Sequence, residues 1–272
     1  GLAIFVAFNI GEFVLLRKDF PTHELFSVLL ASSVIILTGL IDDILELKPR
    51  QKMFGIFIAS LVVYFLAGIK VRELSLPLLG HLQLGWWSFP LTIFWILALT
   101  NAVNLIDGLD GLATGVTLIS LVTMGIVGFF FLKSWQHYVP IMCIMLAACL
   151  LGFLPYNFHP AKIFLGDTGA LYIGFMISVF SLKGLKNVTF VSLLVPILIL
   201  GVPITDTVYA MIRRKLNKKN ISQADKHHLH HQLMRMGLTH RQTVLAIYGI
   251  SLIFSFVSLL SLCMMFQGLS KL

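Results

Sequence analysis

This chain has little charge. Of its 272 residues only 12% are Asp, Glu, Lys or Arg while 58% are hydrophobic, and the mean hydropathy of +0.93 lies far above that of a soluble domain. That excludes a soluble globular enzyme and points to an integral membrane protein. Cysteine is almost absent as well. Cys143, Cys149 and Cys263 all fall in apolar runs, which rules out a disulfide framework and leaves them as small packing residues. A polar mature portion is missing too. A secretory leader would be short and followed by polar sequence, whereas here apolar segments recur to the C-terminus, so they read as spans.

What is there in quantity is long hydrophobic runs. Nine stretches can cross roughly 30 Å of hydrocarbon at about 17–25 residues each; they are 1–16, 25–41, 53–69, 88–106, 111–132, 138–155, 168–184, 188–208 and 242–267. The predicted fold is all-α, a polytopic membrane helical bundle of about nine transmembrane helices forming one domain over 1–272, because only helices satisfy every backbone group in lipid and the runs are too long for barrel strands. The largest gap, 209–241, reads as a basic loop carrying an amphipathic, His-rich helix. Gly1 already lies in a span, so upstream residues are expected to precede it. Glu12 is expected to snorkel to the outer interface near Arg17.

Twelve of the twenty Lys and Arg residues fall in the even-numbered loops, which points those loops to the cytoplasm. A net charge of +8 is explained by a basic face beside anionic lipid and calls for no nucleic acid. Eight of the twelve acids, Asp42, Asp43, Glu46, Asp107, Asp110, Asp167, Asp206 and Asp225, lie at or near that same face. Acids in membrane segments cost about 2.5–3.5 kcal/mol each near the bilayer centre, so a one-sided gathering marks a working surface. A polar helix end at the interface is the competing reading for any one of them.

The stretch NAVNLIDGLDGL closes a span with Asn101, Asn104 and Asp107 at every third position, hence on one helical stripe, and Gly108 and Gly111 then loosen the turn that presents Asp110. Their oxygens are hard ligands suited to Mg²⁺ or Mn²⁺. GLIDDILELKPRQK adds Asp42 and Asp43, with Lys48, Arg50 and Lys52 close behind, and acid plus base at one membrane face reads as metal-assisted phosphate chemistry. In FLGDTGALYIG, Asp167 directly precedes a span, where capping the helix N-terminus is the default role of a lone Asp. PYNFHPAK places Asn157, His159 and Lys162 on the same side. In the loop, His227 and His231 are spaced like two zinc ligands on a helix, although no cysteine completes such a site; alternatively the histidines donate hydrogen bonds to a sugar or a diphosphate.

These motifs, IDD-x-x-E, N-x-x-N-x-x-DG-x-DGL, PYN-x-x-PAK-x-F-x-GDTG and H-x-HH, taken in order and on one side, resemble the polyprenyl-phosphate N-acetylhexosamine-1-phosphate transferases over nearly the whole chain. The H-x-HH form, His228, His230 and His231, is more similar to the UDP-GlcNAc-using, teichoic-acid-initiating branch than to the phospho-N-acetylmuramoyl-pentapeptide translocases. The resemblance implies that undecaprenyl phosphate attacks the β-phosphorus of UDP-GlcNAc to give undecaprenyl diphosphate-GlcNAc and UMP, the first membrane step of a cell-wall polymer. It implies Mg²⁺ on Asp167 with Asn104, Lys52 on the diphosphate, and Asp42 and Asp43 positioning or deprotonating the lipid phosphate. Asp107 joins these as a catalytic candidate, and Asn101 and Asn157 as substrate-binding ones. Phe164 would stack on uracil, Gly108, Leu109 and Asp110 would line the nucleoside pocket, and the histidines would face the sugar diphosphate. The implied partners are UDP-GlcNAc and undecaprenyl phosphate in the bilayer, and a homodimer is compatible with them. Phosphoryl transfer needs positioning and charge neutralisation, so the lack of a Ser or Cys nucleophile is no obstacle. A CDP-alcohol phosphatidyltransferase would need an Arg that DGLDGLATG lacks, and a cation-coupled transporter would favour mid-membrane acids and inverted repeats, which are not visible.

Overall fold

The computed structural model describes residues 1–15, 22–76, 80–131, 138–184, 201, 204–205 and 229–269. Helices α1 (Leu2–Leu15), α2 (Thr22–Leu45) and α3 (Pro49–Phe65) lead into a hairpin of β1 (Glu73–Leu76) and β2 (Gly80–Gln83). A 3-10 turn at Gly85–Trp87 opens α4 (Ser88–Ile106), and α5 (Leu112–Phe131), α6 (Tyr138–Asn157), α7 (Gly166–Gly184), the short α8 (Leu229–Arg235) and α9 (His240–Leu269) follow. Among the described residues five helices, those over 22–45, 85–106, 112–130, 138–157 and 240–264, are long and apolar enough to cross a membrane. The chain is thus a polytopic helical bundle. The expected span 188–208 and most of the loop 209–241 lie outside the described residues.

Helix α7 is the axle. Every side chain from Thr168 to Lys183 is buried, with α2 and α4 packed closely on it and α1, α5 and α6 completing the ring. Because α7 is enclosed by protein rather than lipid, it can carry Ser and Thr among its Phe and Ile residues without a polar face turned to hydrocarbon. Phe8, Ile35, Ile96, Leu146, Tyr172, Phe175 and Phe180 form the core around it.

The ends of the helices are fixed locally. Helix α4 stops where Asp107 leaves the helical region, and its bounds coincide with the expected span. Helix α2 runs on past residue 41 through both aspartates until Glu46, whose φ of 49° breaks it. Helix α3 starts earlier than expected, at Pro49, a favoured first helical residue, while the Gln51 side chain accepts a hydrogen bond from the Lys48 N–H at 2.9 Å. The hairpin was not expected; it pairs Glu73 with Gln83 and Leu76 with Gly80. Glu12 is buried rather than snorkelling, because it turns inward to the end of α7 where Lys183 lies over the Tyr138 ring and pairs with Glu24 at 2.5 Å. Cys143 is buried as expected, whereas Cys263 is exposed on the outer side of α9.

Candidate active site

At one end of the bundle the last turns of α2 and α4 meet the first turns of α3 and α7. Lys52, in the first turn of α3, forms an ion pair with the buried Asp42, donates to Asp167 Oδ1 at 2.8 Å and reaches Asn104 Oδ1 at 3.4 Å. Asn104 Nδ2 donates to the same Asp167 oxygen at 2.5 Å, and the Leu47 N–H holds the other Asp42 oxygen at 2.8 Å. Three residues, up to 125 positions apart in sequence, thereby share the Lys52 ammonium group.

Asp43, rather than Asp167, caps α7. Its carboxylate accepts the N–H groups of Asp167 at 2.8 Å and Thr168 at 3.1 Å and the Thr168 hydroxyl at 2.5 Å, so it caps α7 from across the helix boundary. That frees the Asp167 side chain for Lys52 and Asn104. Gly166 makes the approach feasible: its φ is +69°, and a Cβ there would sit 3.0 Å from Asp43. Asn101 lies half-buried one turn deeper along α4. Asp107, at the C-terminus of α4, has its carboxyl pushed up to about 7 by burial first and then by the charges of Asp167, Asp43 and Asp110. Among the described residues carboxylates thus crowd around a single lysine, an excess of negative charge and hard oxygen donors that suits a divalent cation at Asp167 and Asn104.

Gly108 and Leu109 lead to Asp110, where a second cluster forms. Burial alone would raise the Asp110 carboxyl, but hydrogen bonds with His159 Nδ1 at 2.9 Å and from the Ala161 N–H at 3.2 Å outweigh it and hold the group below the usual carboxylate range. The His159 ring stacks on His240 with centroids 4.1 Å apart, Arg241 Nε donates to the His159 carbonyl at 3.0 Å, and the Tyr248 hydroxyl donates to the Gly111 carbonyl at 2.5 Å. Ligand atoms of Asp110, His159 and His240 lie within 4.8 Å of one another, the one such His/acid group among the described residues.

His230 is buried beside this turn. A Cβ on Gly108 would fall 2.7 Å from its Nε2, and its ring meets that of His231 at 4.2 Å. His228 and His227 lie outside the described residues, and with them the second half of the expected zinc pair. Phe164 is 72% exposed, its ring open to a planar partner. Asn157 is placed differently from expectation: it is buried, its oxygen accepting from the Thr114 hydroxyl at 2.7 Å and its nitrogen donating to the Ile163 carbonyl at 3.0 Å. Both ends of the amide brace the loop that carries His159 and Phe164 instead of facing outward.

The model of glycosyl transferase family 4 matches residues 25–185, which contain all of this cluster except the residues contributed by α8 and α9. The chain belongs to glycosyl transferase family 4. Among this family's curated members it is 45% identical, over 94% of its own length and 70% of the relative's, to a "Probable undecaprenyl-phosphate N-acetylglucosaminyl 1-phosphate transferase" of Bacillus subtilis. It is 36% identical, over 82% of itself and 61% of the relative, to a "Decaprenyl-phosphate N-acetylglucosaminephosphotransferase" of Mycobacterium leprae. It is 32% identical, over 96% of itself and 81% of the relative, to a "Phospho-N-acetylmuramoyl-pentapeptide-transferase" of Clostridium botulinum.

Within this glycosyl transferase family 4 site, sequence reasoning missed the engagement of His240, Arg241 and Tyr248, all on α9, with the Asp110 turn. The only signal was the pair His240–Arg241 at the mouth of the last span, and nothing near it pointed to a histidine 81 residues earlier.

Proposed function

We propose that this chain transfers GlcNAc-1-phosphate from UDP-GlcNAc to undecaprenyl phosphate, releasing UMP, on the cytoplasmic face of a bundle of about nine transmembrane helices. The observation that carries this reading is Lys52 held between Asp42 and Asp167, with Asn104, where four apolar helices end. A diphosphate needs cationic and hard-ligand groups together, and a polyprenyl phosphate needs them at the membrane surface. The 45% identity to the Bacillus subtilis relative, against 32–36% to the muramoyl-pentapeptide ones, and the H-x-HH pattern support the choice of sugar nucleotide.

The ammonium of Lys52 binds a non-bridging oxygen of the diphosphate. Asp42, buried and anchored by the Leu47 N–H, fixes the direction in which that ammonium points. Asp43 sets the first turn of α7 and so the height of Asp167. Both act by positioning, because a phosphate monoester with a second pKa of about 6 is already largely dianionic at neutral pH and needs no general base. Asp110 lines the nucleoside pocket with Gly108 and Leu109, and exposed Phe164 is free to stack on the base. Asp167 with Asn104 would hold Mg²⁺, or Mn²⁺, which when bound supplies charge neutralisation at the diphosphate.

The test is UMP release by the purified full chain from UDP-GlcNAc and undecaprenyl phosphate, with and without Mg²⁺. UMP should form only when both substrates and the ion are present. Release from UDP-MurNAc-pentapeptide with none from UDP-GlcNAc would overturn the assignment.

A further inference from the structure

The far end of the bundle is lined by different residues. Lys52 and Asn104 mark one end of α3 and α4; Tyr64 and Ser88 lie at the other, and the sixteen residues from Ser88 to Asn104 put roughly 24 Å between them. There, between α3, the hairpin and the start of α4, is a cavity of about 490 Å³ lined by Tyr64, Lys70, Arg72, Glu73, Gly85 and Ser88, with Gln83 at the hairpin's end.

Three features give the cavity a preference. Among the described residues Lys70 and Arg72 line it against a single acid, Glu73, so that lining is net positive. The helical run that becomes α4 starts at Gly85 on the cavity wall, which turns the positive end of its dipole inward. Ser88 is only 5% exposed, and its Oγ finds no hydrogen-bond partner among the described residues. A buried hydroxyl without a partner is costly unless something enters to meet it.

We infer that this cavity binds a phosphate-bearing anion. Cation, hydroxyl donor and helix start together form a receptor for tetrahedral oxyanions, and the one opposing carboxylate favours a singly charged phosphate. The surroundings favour a lipid headgroup as its source. Trp86 and Trp87 are 96% and 75% exposed beside the cavity, and Tyr64, Phe65 and Phe89 cluster with centroids 5.0–5.9 Å apart, an aromatic grouping characteristic of the headgroup region. Lys70 lies 4.8 Å over the Tyr64 ring, so its ammonium is kept at that level.

The experiment uses the full chain in nanodiscs of phosphatidylcholine containing phosphatidylglycerol, with native mass spectrometry counting the lipid retained after mild detergent extraction. The wild type should keep phosphatidylglycerol in preference to phosphatidylcholine. Each surface cation contributes about a fivefold preference, so Lys70→Gln with Arg72→Gln should lower retention about 25-fold. Ser88→Ala, which keeps both charges, should lower it severalfold and separates a built site from general attraction. Arg72→Glu, at an exposed position, serves if the double variant is poorly folded. A parallel arm titrates inorganic phosphate: retention that resists phosphate identifies a lipid headgroup, whereas stoichiometric phosphate binding that displaces the lipid identifies a soluble anion in the same site. Equal retention by wild type, the double variant and Arg72→Glu, with no phosphate bound by any, would overturn the inference.

Discussion

Replacing Lys52 by Gln removes the cation that, among the described residues, lies between Asp42 and Asp167, while keeping most of the side-chain length and a hydrogen-bond donor. The two pairs are worth different amounts. Side-chain exposure is 17% for Lys52 and 4% for Asp42, so that pair is buried, and stranding one member of such a pair costs about 3–5 kcal/mol. Asp167 is 35% exposed, and its share is screened to less than about 1 kcal/mol. Lys52→Gln should therefore destabilise the protein by about 3–5 kcal/mol. Turnover should fall about 10²–10³-fold, the range for removing a charge-stabilising donor. The double variant Asp42→Asn, Lys52→Gln separates the two effects. With neither charge left, most of the stability should return, while UMP release stays at the single-variant level. Thermal unfolding in detergent and UMP release read the two quantities. A single variant as stable as wild type, or a double variant that recovers turnover, would refute the argument that Asp42 exists to orient Lys52.

Asp107, raised to about 7, binds a proton in the folded state that an unfolded Asp at about 3.9 releases, so its contribution to stability is present below about pH 4 and is lost as pH rises to 7. Divalent-ion affinity should rise over the same window, and Asp107→Asn should remove both trends in unfolding and ion-titration curves; an unchanged profile would place the charge crowding elsewhere. His159→Ala should weaken UDP-GlcNAc binding about 10–100-fold with a smaller effect on kcat, because a hydrogen bond to a charged group is lost. His159→Asn, which keeps a donor near Nδ1, should recover part of it; equal loss in both variants would make the histidine a packing residue. In a background lacking Cys263, Trp86→Cys should react with an impermeant thiol reagent in intact cells and Lys162→Cys only after the cells are opened, and the reverse pattern would invert the topology.

The parts legible in the sequence were those set by neighbours in the chain. Span 88–106 appears as α4 because an apolar run followed by Asp107 and Gly108 has one natural stopping point. The opening of α7 was legible as a position, but not the residue that caps it. A lone Asp before a span reads as its own cap, and only the crossing of α2 and α7 shows that Asp43 supplies the cap and leaves Asp167 to Lys52. Asn157 lies in a polar motif, yet its amide turns inward because Thr114, 43 residues earlier, presents a hydroxyl there. The hairpin escaped notice because four-residue strands are too short to stand out beside twenty-residue apolar runs. The stack of His159 on His240 joins residues whose sequence surroundings share no pattern.

The convergence of four helix ends on Lys52 also restricts how the chain can change length. One residue inserted into α4 between Ser88 and Asn104 would swing Asn104 about 100° around the helix and shift it about 1.5 Å, carrying its amide off Asp167. The same holds for an insertion in α2 above Asp42. The helices before and after the site are thus frozen in register, and additions or deletions can be absorbed only where no active-site residue lies downstream in the same helix. The hairpin over 73–83, joined to the site only through complete helices, is such a place. Length variation among functional versions of this fold should collect there, and grafts or tags placed within that turn should leave the phosphate chemistry undisturbed.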